Sequence, residues 1–180
     1  DVDEKTLCID IEDMKEKITR DTKAIIPVHL GGHACDMDAI MEVAKEKGIY
    51  VVEDVANATG TKYKGQSLGT IGDTGCFSFE AKKNMTTGDG GMILTDSEAL
   101  AKRLKVLSQC GINKFTWERI EQSKYSWYYE VTDAGYKYNM NDVTASIGLV
   151  QLKKLADSSE KKRKIVEDYK IAFKDLDWLI

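Results

Sequence analysis

The segment KAIIPVHLGGHACDMDAIMEVAKEKGIYVVED, residues 23–54, decides the fold. Its first apolar run, residues 23–30, predicts a buried strand. Asp36 can cap a following helix that Gly48 ends, and a second apolar run, residues 49–54, comes immediately afterwards. A strand, a crossover helix and a second strand in succession are typical of a mostly parallel sheet covered by helices, so the predicted fold class is α/β.

The same alternation continues on both sides of this segment. Before it, apolar residues recur at helical spacing in residues 9–19, and after it the runs CFSF and GGMILT predict two further short strands. Another helix is predicted to begin at Ser97. The residues expected to face inward are Met37, Ile40, Met41 and Ala44 on the crossover helix and Leu100, Leu104 and Leu107 on the helix after Ser97.

The pattern changes after residue 111. Residues 112–139 are rich in aromatic side chains without a clear period, which predicts a long irregular connection. Two helices are predicted from Asn141 onward. The basic run at residues 161–164 lies on the second of these, and we interpret it as a solvated face without a function.

Composition excludes several classes of protein. The chain has 180 residues, 26 basic and 30 acidic, with a formal net charge of -4, so no basic face favours nucleic acid or acidic lipid. Four scattered cysteines and two histidines do not form a metal-binding pattern, and reduced thiols in a cytoplasmic protein are expected. The sequence contains no apolar run of membrane-spanning length, and its acidic, polar first residues are not expected to act as a signal peptide.

Ligands of parallel α/β sheets bind beyond the carboxyl ends of the strands, and four positions there carry chemistry. They are Glu53 and Asp54 after one predicted strand, Ser78 within the next, and Lys82 or Lys83 just past it. A lysine can form a Schiff base with a carbonyl, and an aspartate can keep a pyridine nitrogen protonated. This combination describes a site for pyridoxal 5'-phosphate (PLP), for which Ser78 and Lys137 are possible phosphate ligands.

Two other features have plainer interpretations. The glycine-rich stretch TTGDGG, residues 86–91, resembles a phosphate-binding loop, but glycines between two strands are more often a turn, so we interpret it as structural support. His29 and His33 stand alone near a strand end, and we expect structural roles for both.

Three stretches together resemble the DegT/DnrJ/StrS family of PLP-dependent nucleotide-sugar aminotransferases. They are VVEDVANATGTKYKG, IGDTGCFSFEAKKNMTTGDGGMILTD and DAGYKYNMNDVTASIGLVQLKKL, at residues 51–65, 71–96 and 133–155. The resemblance extends in order from about residue 7 to the C-terminus. It implies the three-layer α/β/α large domain of the type I, or aspartate-aminotransferase, fold.

The resemblance also assigns residues. Lys83, four residues after the second Phe of F-S-F, corresponds to the catalytic lysine that holds the cofactor, and Asp54 corresponds to the partner of its ring nitrogen. Asn57 stands where a longer His or Gln near the cofactor ring is typical. Ser78 corresponds to a phosphate ligand, and Lys137 to a phosphate ligand supplied by the neighbouring subunit. One position is left without a role: Glu80 stands where more familiar members have His.

The implied reaction is transamination. An amino acid, usually glutamate, gives its amino group to PLP, which then passes it to a keto-sugar of a nucleoside diphosphate sugar. The resemblance further implies a cytoplasmic homodimer with small-molecule substrates. Because Lys83 is a lysine, it argues against the dehydratase branch of the family, which has histidine at that position.

Members of the family are longer than this chain. The resemblance therefore implies that residues 1–157 are a partial large domain without its N-terminal part. Residues 158–180 would be a helix that leads toward a mostly absent small domain. We expect the 180-residue chain to be inactive alone.

Two alternatives remain open at this stage. One is a non-catalytic PLP-binding or regulatory relative, which the short Asn57 side chain and the missing parts of the family's chain both allow. The other is a nucleotide-binding α/β domain that uses the glycine-rich turn, although no G-x-G-x-x-G follows the first predicted strand.

Overall fold

The computed structural model describes residues 1–114 and 127–176. The chain divides into two compact units, one of residues 1–94 and 142–180 and the other of residues 95–141. Strands and helices of the first unit are α1 (Ile11–Lys17), β1 (Ala24–Ile25), α2 (Met37–Lys47), β2 (Tyr50–Asp54), β3 (Lys62–Tyr63), β4 (Gln66–Ser67), β5 (Thr74–Ser78), β6 (Gly91–Leu94) and α4 (Asp142–Phe173). The second unit contains α3 (Glu98–Ser108).

The main sheet of the first unit has four strands in the order β1-β2-β5-β6. β1, β2 and β5 are parallel, whereas β6 pairs antiparallel with β5. The predicted α/β class with a mostly parallel sheet is therefore confirmed. The carboxyl ends of β2 and β5 lie at the same edge, because Asp54 pairs with Cys76 two residues before β5 ends.

The crossover helix α2 forms as its sequence predicts. The side chain of Asp36 caps its first turn by accepting a hydrogen bond from the backbone N–H of Ala39, and Gly48 ends it in a left-handed conformation at φ 63°. Its buried residues are Met37, Ile40, Val43 and Ala44. They share one core with Ile25 and Val51 of the sheet and Met14 of α1.

The C-terminal part differs from the prediction of two helices. The structure has one continuous helix, α4, which is 32 residues long and passes through residue 157 without a break. Residues 156–159, where the two predicted helices would meet, contain no Gly or Pro and are compatible with a helix interior.

Helix α3 and the connection at residues 112–139 differ in part from what the sequence predicts. The leucines of α3 that were expected to be buried are only half-buried, since no residue of this helix is buried. The irregular aromatic connection is described at residues 112–114 and 127–139, where single β-bridges occur in place of helices or strands. Phe115, Trp117 and Tyr125 lie outside the described residues. In the described ranges, no helix is both long and apolar enough to cross a membrane.

Candidate functional site

The site begins at the carboxyl ends of β2 and β5, where Asp54 and Ser78 lie on adjacent parallel strands. The backbone N–H of Asp54 donates to the carbonyl of Pro27, and its Oδ1 accepts from the N–H of Ala56 at 2.9 Å. These bonds hold the half-buried carboxylate at the strand end. Burial and the nearby charge of Asp54 together raise the pKa of Cys76 above its ordinary value.

Lys83 approaches this edge from the loop that follows β5. Its Nζ donates to Oδ1 of Asn57 at 3.0 Å, and Asn57 lies three residues after Asp54. Lys83 is half-buried, whereas its neighbour Lys82 is exposed. The structure therefore brings the chain segments of Asp54, Asn57, Ser78 and Lys83 to one edge, and it distinguishes between the two lysines.

Glu80 shapes the turn that carries both lysines. Its Oε2 accepts from the backbone N–H of Lys82 at 2.9 Å, and its carbonyl accepts from the N–H of Lys83 at 3.0 Å. Its own N–H lies 3.4 Å from Oγ of Ser78. Glu80, to which the family resemblance gave no role, thus fixes the backbone between Ser78 and Lys83.

Glu53 points to the face of β2 opposite that of Asp54, because successive side chains of a strand point to opposite sides. It is completely buried, and its carboxylate accepts hydrogen bonds from the backbone N–H groups of Gly69, Ile71 and Gly72 at 2.7–2.8 Å. Burial alone would raise the pKa of Glu53. The hydrogen bonds from His29 and from these N–H groups outweigh burial and hold this pKa below its ordinary value.

His29 completes this buried cluster. Its Nδ1 accepts the backbone N–H of Cys35 at 3.1 Å, and its Nε2 lies 3.2 Å from Oε2 of Glu53. Since Nδ1 is an acceptor, the proton of the neutral ring must sit on Nε2 and point to Glu53. Glu53, predicted among the strand-end residues that could converge on a ligand, therefore anchors the loop before β5 and does not face that ligand edge.

The glycine-rich residues 86–91 support the lysine loop. Phe79 accepts hydrogen bonds at its carbonyl from Thr86 and Thr87, and its N–H donates to Gly90. A Cβ on Gly91 would lie 2.6 Å from the carbonyl oxygen of Phe77, so only glycine permits this close strand pairing. These contacts agree with the interpretation of this stretch as structural support.

Lys137 belongs to the second unit. Its side chain is exposed, its backbone pairs with Gln109, and the rings of Tyr136 and Tyr138 on either side of it stack at 4.9 Å. A phosphate-binding role for Lys137 remains a prediction. No group of three or more His, Cys, Asp or Glu with metal-binding geometry occurs within residues 1–114 and 127–176.

Fold and site together define an α/β domain in which the loop after β5 of a mostly parallel sheet carries a lysine amine bonded to Asn57. Residues 1–179 match the DegT/DnrJ/EryC1/StrS aminotransferase family, and the chain belongs to this family. The resemblance identified from the three sequence stretches is thereby confirmed.

Relatives with known sequences or structures support this family membership. The spore coat polysaccharide biosynthesis protein SpsC of Bacillus subtilis is 48% identical over 180 residues, which are 100% of this chain and 46% of SpsC. The aminotransferase TlmJ of Streptoalloteichus hindustanus is 38% identical with a TM-score of 0.88, covering 98% of this chain and 45% of TlmJ. The PLP-form of Spr1654 of Streptococcus pneumoniae is 34% identical with a TM-score of 0.86, covering 97% of this chain and 47% of Spr1654. The chain thus spans about half the length of these relatives.

Proposed function

We propose that this chain is the cofactor-binding core of a PLP-dependent sugar aminotransferase. The reaction would pass an amino group from an amino acid, with glutamate as the expected donor, to the keto-sugar of a nucleoside diphosphate sugar. The observation that carries the proposal is the 3.0 Å contact between Nζ of Lys83 and Oδ1 of Asn57, which joins the segments that follow Asp54 and Ser78 at the ends of two paired strands. Family membership and the sugar aminotransferases among the similar structures support the same reaction.

The residues present fit the proposed cofactor. A primary amine, a carboxylate and a hydroxyl match its aldehyde, ring nitrogen and phosphate, respectively. The hydrogen-bond partner of Lys83 is the neutral amide of Asn57, and within residues 1–114 and 127–176 no carboxylate forms a salt bridge with its Nζ. Such an amine can be released from Asn57 to react at lower cost than an ion-paired lysine.

Each residue has a distinct task in this proposal. PLP, when bound, supplies a carbonyl for attachment to Lys83 and a ring that accepts electrons. Asp54 would accept a hydrogen bond from the ring nitrogen, Ser78 would bind the phosphate, and Asn57 would contact the ring. Lys137 would reach a phosphate as part of a homodimer.

Lys83 has a second task as a general base. Once the substrate amine has replaced Lys83, Nζ of Lys83 would take up a proton from one reacting carbon and return it to the other. Oδ1 of Asn57 can accept a hydrogen bond from this Nζ both before and after it takes up the proton, because Nζ carries an N–H in either form. The side chain of Lys82 makes no such contact with Asn57 and is exposed to solvent.

The alternative of a non-catalytic PLP-binding relative rested on the short side chain of Asn57 and on the partial length of the chain relative to its family. In the structure this side chain reaches Lys83 directly, which favours a working lysine site. Turnover separates the two: a regulatory relative would take up PLP but would not transfer an amino group from glutamate to a keto-sugar nucleotide.

The direct test is an absorbance titration of the protein with PLP, followed by borohydride reduction and peptide mapping. We expect a reduced adduct on Lys83 and little on Lys82. An adduct that is spread equally over exposed lysines, or absent from Lys83, would contradict the proposal.

A further inference from the structure

Asn84, the residue after Lys83, links two other parts of the first unit. Its Oδ1 accepts a hydrogen bond from Nζ of Lys162 on α4 at 2.7 Å. Its Nδ2 lies 3.5 Å from the carbonyl oxygen of Thr59, in the turn that follows β2. Asn84 therefore lies between a helix and the turn that also carries Asn57.

The orientation of the Asn84 amide follows from its partners. A lysine ammonium only donates hydrogen bonds, so the amide oxygen must face Lys162. A carbonyl oxygen only accepts, so the amide nitrogen must face Thr59. Exchanging the two ends of the amide would break both contacts at once.

Helix α4 also packs directly against the same two loops. A Cβ on Gly60 would lie 3.2 Å from Leu155, and a Cβ on Gly148 would lie 3.0 Å from Cγ2 of Thr87. Glycine at both positions thus lets the helix come close to the turn after β2 and to the loop after Lys83. Lys162 adds a polar contact to this packing.

We propose that Asn84 and Lys162 are positioning residues for Lys83. Lys83 and Asn84 contact the same turn at two points, Asn57 and Thr59, and Lys162 holds Asn84 in the orientation that this requires. The bonds of Glu80 fix the backbone before Lys83, and the contact of Asn84 with Thr59 adds a point of attachment directly after it. Two contacts fix the direction in which the Lys83 side chain extends. This inference rests on the proposed role of Lys83 as the reactive amine.

Within the basic run at residues 161–164, Lys162 differs from its neighbours in its hydrogen-bond partner. Lys162 has a partner 78 residues away in sequence, whereas Arg163 pairs with Glu160 within its own helix. All four residues are exposed, as predicted, but Lys162 differs from the others in bonding to a residue outside its own helix.

Two variants test the two contacts of Asn84 separately, one with Lys162 and one with Thr59. Lys162→Met removes the ammonium but keeps much of the side-chain length. Asn84→Asp keeps an acceptor for Lys162 but places a carboxylate oxygen against the Thr59 carbonyl. Lys161→Met is the matched control, because Lys161 is an exposed lysine on the same helix.

Two readouts on Lys83 test the inference. The first is trace acetylation in the cofactor-free protein, measured by peptide mapping relative to the exposed Lys45. The second is the rate at which PLP becomes trapped on Lys83 by borohydride. We expect acetylation of Lys83 to rise about fivefold and trapping to fall about fivefold in both variants, the factor that one net hydrogen bond represents.

These opposite changes distinguish positioning from general loosening, which would raise both rates. The inference is wrong if Lys162→Met matches Lys161→Met in both readouts; this surface variant keeps the test valid even if Asn84→Asp does not fold. Raised acetylation together with no PLP adduct on Lys83 of the unaltered protein would support the positioning and contradict the proposed function.

Discussion

Asp54 and Cys76 occupy paired positions on the adjacent parallel strands β2 and β5. Burial raises the pKa of the Cys76 thiol, and the negative charge of Asp54 raises it further. The thiol is therefore an internal probe of the carboxylate that we propose to hold the cofactor ring.

Replacing Asp54 with Asn should lower the pKa of Cys76, because the thiolate would no longer face a neighbouring negative charge. The midpoint of Cys76 alkylation, followed by iodoacetamide labelling as a function of pH, should move to lower pH. Asp21→Asn, which removes an exposed carboxylate, serves as the control. An unchanged midpoint in the Asp54 variant would show that this carboxylate does not act on Cys76.

The two adjacent lysines should differ sharply in function. Lys83→Ala should reduce transamination by at least about 10²–10⁴-fold, because the amine that we propose as general base would be gone. Lys82→Ala should leave most of the activity, since this side chain is exposed. The rates are measured in the whole protein with glutamate and a keto-sugar nucleotide, and equal losses in the two variants would overturn the assignment of Lys83.

Glu53→Gln should destabilise the protein. The amide can accept hydrogen bonds only at its oxygen, so its NH₂ group must face backbone N–H donors or Nε2–H of His29. Each donor left unpaired in the interior costs about 1–3 kcal/mol of unfolding free energy. Denaturant unfolding measures this change, and Glu46→Gln on the exposed surface is the control.

The pH dependence of stability tests the same carboxylate. The pKa of Glu53 is lower in the folded protein than its unfolded value of 4.5, so its contribution is complete above that pH and lost as the pH falls through the folded pKa. The unfolding free energy of the Glu53→Gln variant should therefore vary less with pH below 4.5. Parallel pH profiles for the variant and the unaltered protein would contradict this explanation.

Two buried threonines should respond differently to valine. Oγ1 of Thr59 is buried and has no hydrogen-bond partner among the described residues, whereas Oγ1 of Thr87 donates to the carbonyl of Asp89. Thr59→Val should thus keep or raise the unfolding free energy by about 1 kcal/mol, and Thr87→Val should lower it by about 1 kcal/mol. Thermal unfolding of both variants compares them, and a large loss in Thr59→Val would reveal a partner for its hydroxyl.

Local signals predicted much of the fold because they act over a few residues. The cap at Asp36, the left-handed Gly48 and the apolar runs on either side predict α2 and β2 without reference to the rest of the chain. The run at residues 23–30 was predicted as a buried strand, but β1 covers only Ala24–Ile25 of it, and Ile26 and Val28 are exposed. The length of α4 was harder to predict, because Asp and Ser residues such as those at 157–159 occur both within helices and at their ends.

The candidate site likewise has features that the sequence determines and features that only the tertiary structure decides. By itself, the sequence determined that a lysine follows a short strand, that Asp54 ends another, and that the motifs belong to an aminotransferase family. Only the tertiary structure decided that Lys83 meets Asn57 from 26 residues away, that Lys162 meets Asn84 from 78 residues away, and that Glu53 faces the core. Periodicity and capping describe neighbours within one or two turns of chain, whereas these contacts exist only after the sheet and α4 have packed.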